Sequence, residues 1–375
     1  MQVALIPFSY WPVLGGLQST THELARELLV RGMRVQVLTR RQPRNLPQHD
    51  QLEGVSVMRY PVHLGKDTIR QRPMTRFMYR VHVLLTFLRL AQAIRAARPD
   101  VVHVHYPYDE TLLIHLLRRF CPFRLVVTVH GNELGRPGHP ASALYLYWLR
   151  SLLLAADAVT ACSASLLAEL KNVVPEIESK SCVIHNSVDT TRFTEHFRYQ
   201  HPRPYIFAAG RLASEKGFDL LLDAYACSIA KDTDLLIAGA GEVAESLRRQ
   251  TARLGIERQV RWLGQRDASE IAGLMGGCEF VVTPSRAEAF GLTALEAMAA
   301  GKRVLATQVG GLPELVPEPP NRLVAPTVEA IARGLQTLWS ESAETAQIAA
   351  TVNRKHADRF GVEAMAAQYL ATYVG

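Results

Sequence analysis

The sequence predicts an α/β protein made of two tandem, Rossmann-like, doubly wound domains that face a central crevice. Its 375 residues are enough for two domains of about 100–200 residues each. Short β-branched runs alternate with helix-length segments, which is typical of parallel βαβ units. The alternation breaks off in a polar stretch at residues 186–199 and then starts again. Ligands of such sheets bind outside the carboxyl ends of the strands, so we expect the site in the crevice.

The first half of the chain carries seven strand candidates and two clear helices. One helix is predicted over Gln18–Arg31 and ends at Gly32, and another over about Arg76–Arg98 ends at Pro99. The strand candidates are Val3–Ile6, Val35–Thr39, Val55–Met58, Val101–His105, Leu125–His130, Ala158–Ser163 and Cys182–Asn186.

The second half repeats the pattern with five strand candidates and helices between them. Helices are expected near 218–230, 242–254, 268–276, 291–300 and 327–340, and the tail 343–375 is predicted to be helical with a break at residues 360–361. The strand candidates are Tyr205–Ala209, Leu235–Gly239, Val260–Leu263, Phe280–Thr283 and Val304–Thr307.

Composition excludes several classes of protein. A hydrophobic share of 48% and a charged share of 21% are ordinary for globular domains and argue against disorder or a fibrous protein. The five cysteines are odd in number and never spaced as C-x-x-C, which argues against a disulfide framework or a structural zinc site. The longest apolar stretch, Ala141–Cys162, is interrupted by Arg150 and Asp157, so no membrane-spanning helix is expected. We therefore expect a cytoplasmic protein that is soluble or peripheral on the inner face of the membrane.

Positive charge is concentrated in the first half of the chain. The net charge is +7, but residues 1–200 hold 24 basic and 15 acidic residues, a net +9, which leaves −2 for the rest. Residues 66–98 alone hold eight basic residues against one acid, Asp67. Such a field attracts anionic lipid, phosphorylated substrates or nucleic acid. No nucleic-acid motif accompanies it, so no nucleic-acid partner is expected, and a plain solvated face stays open as the alternative.

Gly15 and Gly16 lie between the first strand and the first helix. A helix N-terminus offers unpaired N–H groups that suit phosphate, and glycine lets a ligand approach the backbone. An ordinary turn explains the pair equally well. The glycines do not form G-x-G-x-x-G, which argues against a dinucleotide cofactor.

Arg211 and Lys216 share one loop after the strand that begins at Tyr205. Two cations at the carboxyl end of a strand are able to clamp a diphosphate and neutralise it as it leaves. A pair of solvated loop charges is the alternative.

Two carboxylates, Glu288 and Glu296, bracket the start of a helix near Gly291, with seven residues between them. One carboxylate can bind sugar hydroxyls and the other a ribose diol, while the backbone amides of Phe290, Gly291 and Leu292 hold phosphate. A capping role is the alternative for Glu288.

Two histidines close neighbouring strands of the first domain. His130 ends its strand directly before Gly131, which opens the next loop, and it is the candidate catalytic residue of this half. His105 is expected to be a structural hydrogen-bonding residue. Neither residue belongs to a convincing metal-ligand spacing, so we expect no metal and no cofactor.

These motifs, in this order, resemble the retaining glycosyltransferases of family 4, which have the two-domain GT-B fold. The resemblance covers nearly the whole chain. Its most specific parts are residues 284–292 (PSRAEAFGL) with Glu296, and residues 210–217 (GRLASEKG). Supporting parts are residues 99–105 (PDVVHVH), 239–241 (GAG) and 310–314 (GGLPE).

The resemblance implies an acceptor domain at residues 1–188 and a nucleotide-sugar donor domain at residues 189–359, with a terminal helix at 360–375 that crosses back to the first. It also implies a metal-independent transfer with retained configuration, with a UDP-sugar as the first expectation and a GDP-sugar as the second. A nucleotide-sugar epimerase of similar fold and a non-catalytic nucleotide-sugar-binding protein remain alternatives. The residue roles implied are a diphosphate contact for Arg211 and Lys216, a sugar contact for Glu288 and His130, a ribose contact for Glu296, and backbone contacts at Gly16 and Phe290–Leu292.

The basic segment of the first domain is also a candidate surface for a membrane or an anionic acceptor. Arg70, Arg72, Arg76 and Arg80 cluster at the start of its helix, and each basic residue near an anionic bilayer contributes about 1 kcal/mol. Apolar residues recur along the helix at helical spacing and are expected to form a core face: Phe77, Met78, Val81, Leu84, Leu85 and Leu88.

Overall fold

The structure is a computed structural model of the chain. It describes all residues except 14, 44, 62–72, 132, 137–138, 195–197 and 229–232. The chain divides into two compact units. The first consists of residues 1–162, 166–185 and 362–375, and the second of residues 163–165 and 186–361.

Where the structure describes residues 1–185, they form ten strands and four α-helices, with 3₁₀ helices at Thr111–Arg119 and Pro175–Lys180. The strands are β1 (Gln2–Pro7), β2 (Arg34–Arg41), β3 (His49–Leu52), β4 (Val55–Pro61), β5 (Val101–His105), β6 (Arg124–Val129), β7 (Gly135–Arg136), β8 (His139–Pro140), β9 (Ala158–Ala161) and β10 (Ser181–Val183). The helices are α1 (Gly16–Val30), α2 (Pro73–Ala97), α3 (Ala143–Ala155) and α4 (Ala164–Val173).

Eight of these strands form one sheet in the order β10-β9-β6-β5-β1-β2-β4-β3, and every neighbouring pair is parallel except β3 with β4. The central strands are buried along their whole length, as expected for a parallel sheet covered on both faces. Leu24 and Leu28 of α1 enter the core on one side.

The described part of residues 186–375 forms six strands and nine α-helices, with 3₁₀ helices at Ser214–Lys216 and Asp358–Phe360. The strands are β11 (Tyr205–Ala209), β12 (Asp234–Ala238), β13 (Val260–Gly264), β14 (Phe280–Thr283), β15 (Arg303–Thr307) and β16 (Arg322–Val324). The helices are α5 (Thr191–Thr194), α6 (Phe218–Ala226), α7 (Ala244–Arg253), α8 (Ala268–Gly277), α9 (Leu292–Ala299), α10 (Leu312–Leu315), α11 (Val328–Ser340), α12 (Ala343–Ala357) and α13 (Val362–Val374).

The strands of the second unit form one all-parallel sheet in the order β13-β12-β11-β14-β15-β16. The last helix, α13, belongs to the first unit, where Tyr369 and Tyr373 are buried in the same core as α1. All twelve predicted strands are present. The structure adds β16 and the short strands β3, β7 and β8.

The expectation for the outer residues of α2 is wrong. Val81, Leu84, Leu85 and Leu88 are exposed, whereas the opposite face of the same helix buries residues such as Leu90 and Ile94. The helix is apolar on both faces, and only one of them packs against the unit. The side chains of Phe77, Met78, Arg76 and Arg80, and the whole of Arg70 and Arg72, lie outside the described residues.

None of the helices in the described part of the chain combines the length and the apolar composition needed to cross a membrane.

Candidate active site

The candidate site of the second unit lies where β11 and β14 end. The two strands are parallel neighbours in the sheet, so the loops that follow them, residues 210–217 and 284–291, meet at one edge. These loops carry Arg211, Lys216 and Glu288, which belong to separate sequence motifs.

Lys216 and Glu288 form an ion pair across the two loops. The Lys216 ammonium lies 2.7 Å from Glu288 Oε2, and the Ser285 hydroxyl donates to the same oxygen at 3.0 Å. Both side chains of the pair are mostly buried, with exposed fractions of 25% for Lys216 and 13% for Glu288. A charge-assisted bond in such surroundings is stronger than one between neutral groups. The carboxylate is therefore held in place by two donors before any ligand arrives.

Arg286 fastens the two loops to each other. Its backbone N–H donates to the Glu215 carbonyl at 2.7 Å, and its guanidinium donates to the Ser214 carbonyl at 3.0 Å. The same guanidinium forms a bidentate pair with Asp219, with both distances 2.6 Å. Burial alone raises the pKa of Asp219, but the hydrogen bonds and charge of Arg286 outweigh it and hold that pKa below its ordinary value. The first loop is thereby tied to the second at three points.

At two glycines, the backbones of neighbouring loops approach each other more closely than any side chain would allow. Gly217 has φ +65°, and a Cβ there would lie 2.0 Å from the Pro284 carbonyl oxygen. On the other side, a Cβ at Gly310 would lie 1.9 Å from the Glu288 carbonyl oxygen, which also accepts a hydrogen bond from Gly311 N–H at 3.0 Å. No side chain fits at these two contacts. Glu288 is therefore positioned by its backbone as well as by its carboxylate.

Arg211 lies at the exposed end of the same loop. Its guanidinium pairs with the Glu215 carboxylate, and 38% of its side chain is exposed. The pairing holds the cation near the loop while leaving part of it open to solvent.

Helix α9 begins directly after the second loop. Gly291 at its N-cap has φ +109°, and Thr293 Oγ1 in its first turn donates to the Ala209 carbonyl at the end of β11 at 3.3 Å. Phe290 is buried, with its ring 6.1 Å from that of Phe360, so its side chain belongs to the core, and a contact between its backbone and the donor stays a prediction. Glu296 is half-buried, one turn after Leu292 on the same side of the helix.

In the first unit, His130 directly follows β6 in a tight polar turn. The Glu133 carboxylate accepts from the N–H groups of His130 and Gly131, at 2.7 Å and 2.6 Å. His130 Nε2 lies 3.3 Å from His105 Nδ1. Burial lowers the pKa of His130 to about 4. The imidazole is therefore neutral near pH 7 and acts as a hydrogen-bonding group, not as a cation.

His105 is buried beneath His130, as the structural role predicted for it requires. Burial, together with the charges of His103 and His130, holds the pKa of His105 well below its ordinary value. His103 lies beside it and bonds Tyr373 of α13 at 2.6 Å and Thr128 of β6 at 2.7 Å. This row of polar groups fixes the ends of β5 and β6, on which His130 stands.

Gly15 and Gly16 stand at the start of α1, beyond the end of β1, where the sequence predicts them. Gly15 has φ 164°, an extended conformation open to any residue. Its backbone therefore does not require glycine, and a phosphate contact here stays a prediction.

Sequence reasoning missed Ser285, Glu133 and Glu215, the residues that hold the predicted ones. Each is one to three positions from a predicted residue, so proximity in sequence was the available signal. Within the described residues, no group of three or more His, Cys, Asp or Glu side chains is placed to hold a metal ion.

Two family models together match most of the chain. The model for glycosyltransferase family 4 matches residues 14–192, and the model for glycosyl transferases group 1 matches residues 190–356. The glycogen synthase of Mycobacterium tuberculosis is 32% identical over 340 residues, which cover 84% of this chain and 80% of that protein.

Solved structures of the same fold span the whole chain. Sucrose-phosphate synthase from Thermosynechococcus elongatus has a TM-score of 0.80 at 22% identity, covering 99% of this chain and 98% of that one. HepE from Anabaena, solved in complex with UDP and glucose, has a TM-score of 0.76 at 22% identity and covers 99% of each chain. These neighbours have the GT-B fold, so the predicted fold class is confirmed.

The protein is thus a glycosyltransferase with the GT-B fold. The chain belongs to glycosyltransferase family 4, as its motifs predicted.

Proposed function

We propose that the protein transfers a sugar from a nucleoside diphosphate sugar to an acceptor hydroxyl with retention of configuration and without a metal ion. The proposed donor is a UDP-sugar, with a GDP-sugar as the second candidate. The observation that carries the proposal is the ion pair of Lys216 and Glu288. It joins the loop that we assign to the diphosphate to the loop that we assign to the donor sugar. UDP as the nucleotide is supported by the Anabaena neighbour solved with UDP and glucose.

The diphosphate is assigned to Arg211 and Lys216. Both cations lie on the loop after β11, and the N-terminus of α9 adds the partial positive charge of a helix end. As the bond to the sugar breaks, negative charge grows on the departing phosphate. Cations already fixed at that place stabilise the growing charge without reorganising, which supports transfer without a metal ion.

The donor sugar is assigned to Glu288 and the ribose to Glu296. The Glu288 carboxylate is held by Lys216 and Ser285, so it can accept hydrogen bonds from sugar hydroxyls in a fixed direction. Lys216 bonds Glu288 and is assigned to the phosphate, so it couples the sugar contact to the phosphate contact. The donor is then held on both sides of the bond between sugar and phosphate.

The reaction replaces one bond to the anomeric carbon with another on the same face. The bond between that carbon and the phosphate oxygen breaks, and its electron pair leaves with the nucleoside diphosphate. The acceptor oxygen bonds to the carbon, and its proton passes to the departing phosphate oxygen. His130, neutral because of its low pKa, contributes a hydrogen bond to the donor sugar near the reacting carbon.

The test is a donor panel by calorimetry, followed by turnover of the tightest donor with the anomeric configuration read by NMR. We expect a UDP-sugar to bind most tightly, and the product or slow hydrolysis product to keep its configuration in the presence of a chelator. Arg211→Ala should lower donor affinity roughly ten- to a hundredfold, as expected for a lost charge-assisted bond of about 1.5–3 kcal/mol.

Four results would contradict the proposal. An inverted product would reject the retaining mechanism, and loss of turnover with chelator would reject metal independence. Interconversion of the donor with no acceptor and no hydrolysis would identify an epimerase. Binding without any turnover would identify a nucleotide-sugar-binding protein.

A further inference from the structure

Helix α2 presents a stripe of apolar side chains to solvent. Val81, Leu84, Leu85 and Leu88 recur at helical spacing, and 40–53% of each is exposed. We call these four residues the α2 stripe. The opposite face of the helix already packs against the first unit, so the stripe is not needed for the core. Contiguous exposed apolar surface of this kind marks an interaction site.

The α2 stripe continues onto a neighbouring element. Two helical turns beyond Leu88, the guanidinium of Arg95 lies 5.3 Å from the centre of the Phe120 ring. Phe120 directly follows the 3₁₀ helix Thr111–Arg119 and is 72% exposed. A cation over an exposed aromatic ring extends the stripe with a group that is both apolar and charged.

The charges around the stripe are of one sign. Arg89, Arg95 and Arg98 are exposed, and the sequence contains no Asp or Glu between Asp67 and Asp100. Among the described residues 81–99, every Asp, Glu, Lys or Arg is an arginine. An apolar stripe flanked by these cations complements a surface that is apolar inside and anionic outside. An anionic bilayer has that arrangement. A second copy of the chain does not, because a symmetric contact through the stripe would bring the arginines of both copies together.

We propose that the α2 stripe docks the protein on anionic lipid bilayers, with α2 lying in the plane of the interface. The four apolar side chains enter the boundary between headgroups and acyl chains, and Arg89 and Arg95 pair with lipid phosphate. The docking itself does not depend on the proposed donor chemistry. Its consequence does: a transferase held at this surface would use an acceptor carried on a lipid.

The test is co-sedimentation with vesicles of phosphatidylcholine, with and without phosphatidylglycerol, at low and high salt. We expect binding to the anionic vesicles only, weakened by salt because exposed charges are screened. Leu84→Gln with Leu88→Gln should lower vesicle affinity about tenfold or more, since two apolar insertions are lost while helix propensity is kept. Arg89→Ser with Arg95→Ser should lower it several-fold and flatten the salt dependence.

A matched control is available on α12 in the second unit. Ile348 and Val352 are exposed apolar residues with the same spacing, and Ile348→Gln with Val352→Gln should leave vesicle binding unchanged. A tryptophan introduced as Leu85→Trp should be quenched by brominated lipid, whereas Ile348→Trp should not. UDP affinity, measured on every variant, should stay at the wild-type value, which separates this result from the donor assignment.

Several outcomes would overturn the docking proposal. Wild-type protein that ignores anionic vesicles at low salt would do so, and so would equal losses in the α2 and α12 variants. A dimer in solution that Leu84→Gln with Leu88→Gln converts to a monomer, without vesicle binding, would show that the stripe is an interface between copies of the chain.

Discussion

The pairing of Lys216 with Glu288 makes the effects of mutating the two residues unequal and coupled. In the structure, the Lys216 ammonium is already bonded to Glu288 at 2.7 Å. A phosphate must therefore share this cation with the carboxylate. Glu288→Gln removes the competing charge, so UDP affinity should hold or rise, while turnover should fall because the sugar contact is weakened.

Lys216→Ala acts in the opposite direction and more strongly. It removes a charge-assisted bond to phosphate worth about 1.5–3 kcal/mol, which is roughly a ten- to a hundredfold loss of UDP affinity. It also leaves the Glu288 carboxylate uncompensated beside the phosphate, which we put at about 1 kcal/mol of repulsion in a partly solvated site. Adding Glu288→Gln to Lys216→Ala should remove that repulsion and recover about fivefold in UDP affinity.

The assay is calorimetric titration of UDP into wild type, the two single variants and the double variant. The cycle should show a coupling energy of about 1 kcal/mol or more. Lys171→Ala with Glu178→Gln is the matched control, because this exposed pair has a similar distance of 2.9 Å and lies in the other unit. Strictly additive effects, or a loss of UDP affinity in Glu288→Gln as large as in Lys216→Ala, would refute the reasoning.

Three further predictions follow from the described geometry. Gly217→Ala should destabilise the second unit by about 2 kcal/mol or more, because the new Cβ would lie 2.0 Å from the Pro284 carbonyl oxygen. Gly255→Ala is the control: it has a similar φ of +68° but open space around it, so it should cost only about 1 kcal/mol. Equal losses of unfolding free energy in chemical denaturation would contradict this prediction. Glu296→Gln should weaken binding of UDP itself through the ribose, and unchanged UDP affinity would remove that role. Burial lowers the pKa of His130 to about 4, below the unfolded value of about 6.5, so its contribution to stability is complete above pH 6.5 and is lost as the pH falls toward 4. The Tm should therefore drop by several degrees over that range, and by less in His130→Asn. A wild-type Tm that does not change with pH would contradict this prediction.

The strands and the main helices were predictable because their signals are local. A run such as Val101–His105 is β-branched at three of its five positions, and strand and helix periodicities distinguish such runs from α1 or α11. Strand β16 (Arg322–Val324) was missed because three residues carry no period. Strand β3 (His49–Leu52) was missed because it is a polar edge strand that pairs antiparallel with β4.

Pairs distant in sequence were beyond the reach of local patterns. Lys216 and Glu288 were each predicted to contact the donor, but 72 positions separate them, and only the adjacency of β11 and β14 brings them together. At α2, a local pattern was recognised but assigned to the core instead of to the surface. The spacing of Leu84 and Leu88 indicates a face of a helix, yet spacing alone does not tell which of two apolar faces meets the core.

The family motifs contain residues that the proposed function assigns to the donor and residues that hold the loops. Along the sheet, three neighbouring pairs of loops are joined by close glycine contacts: Gly239 against Gly210 for β12 and β11, Gly217 against Pro284 for β11 and β14, and Gly310 against Glu288 for β14 and β15. These contacts are between backbones and leave no room for a side chain. Loops fixed in this way need little reorganisation when charge develops on the leaving phosphate. Under the proposed function, these glycines would support transfer by fixing the loops that carry the charged residues. A motif of glycines and charges therefore predicts the site better than the charges alone.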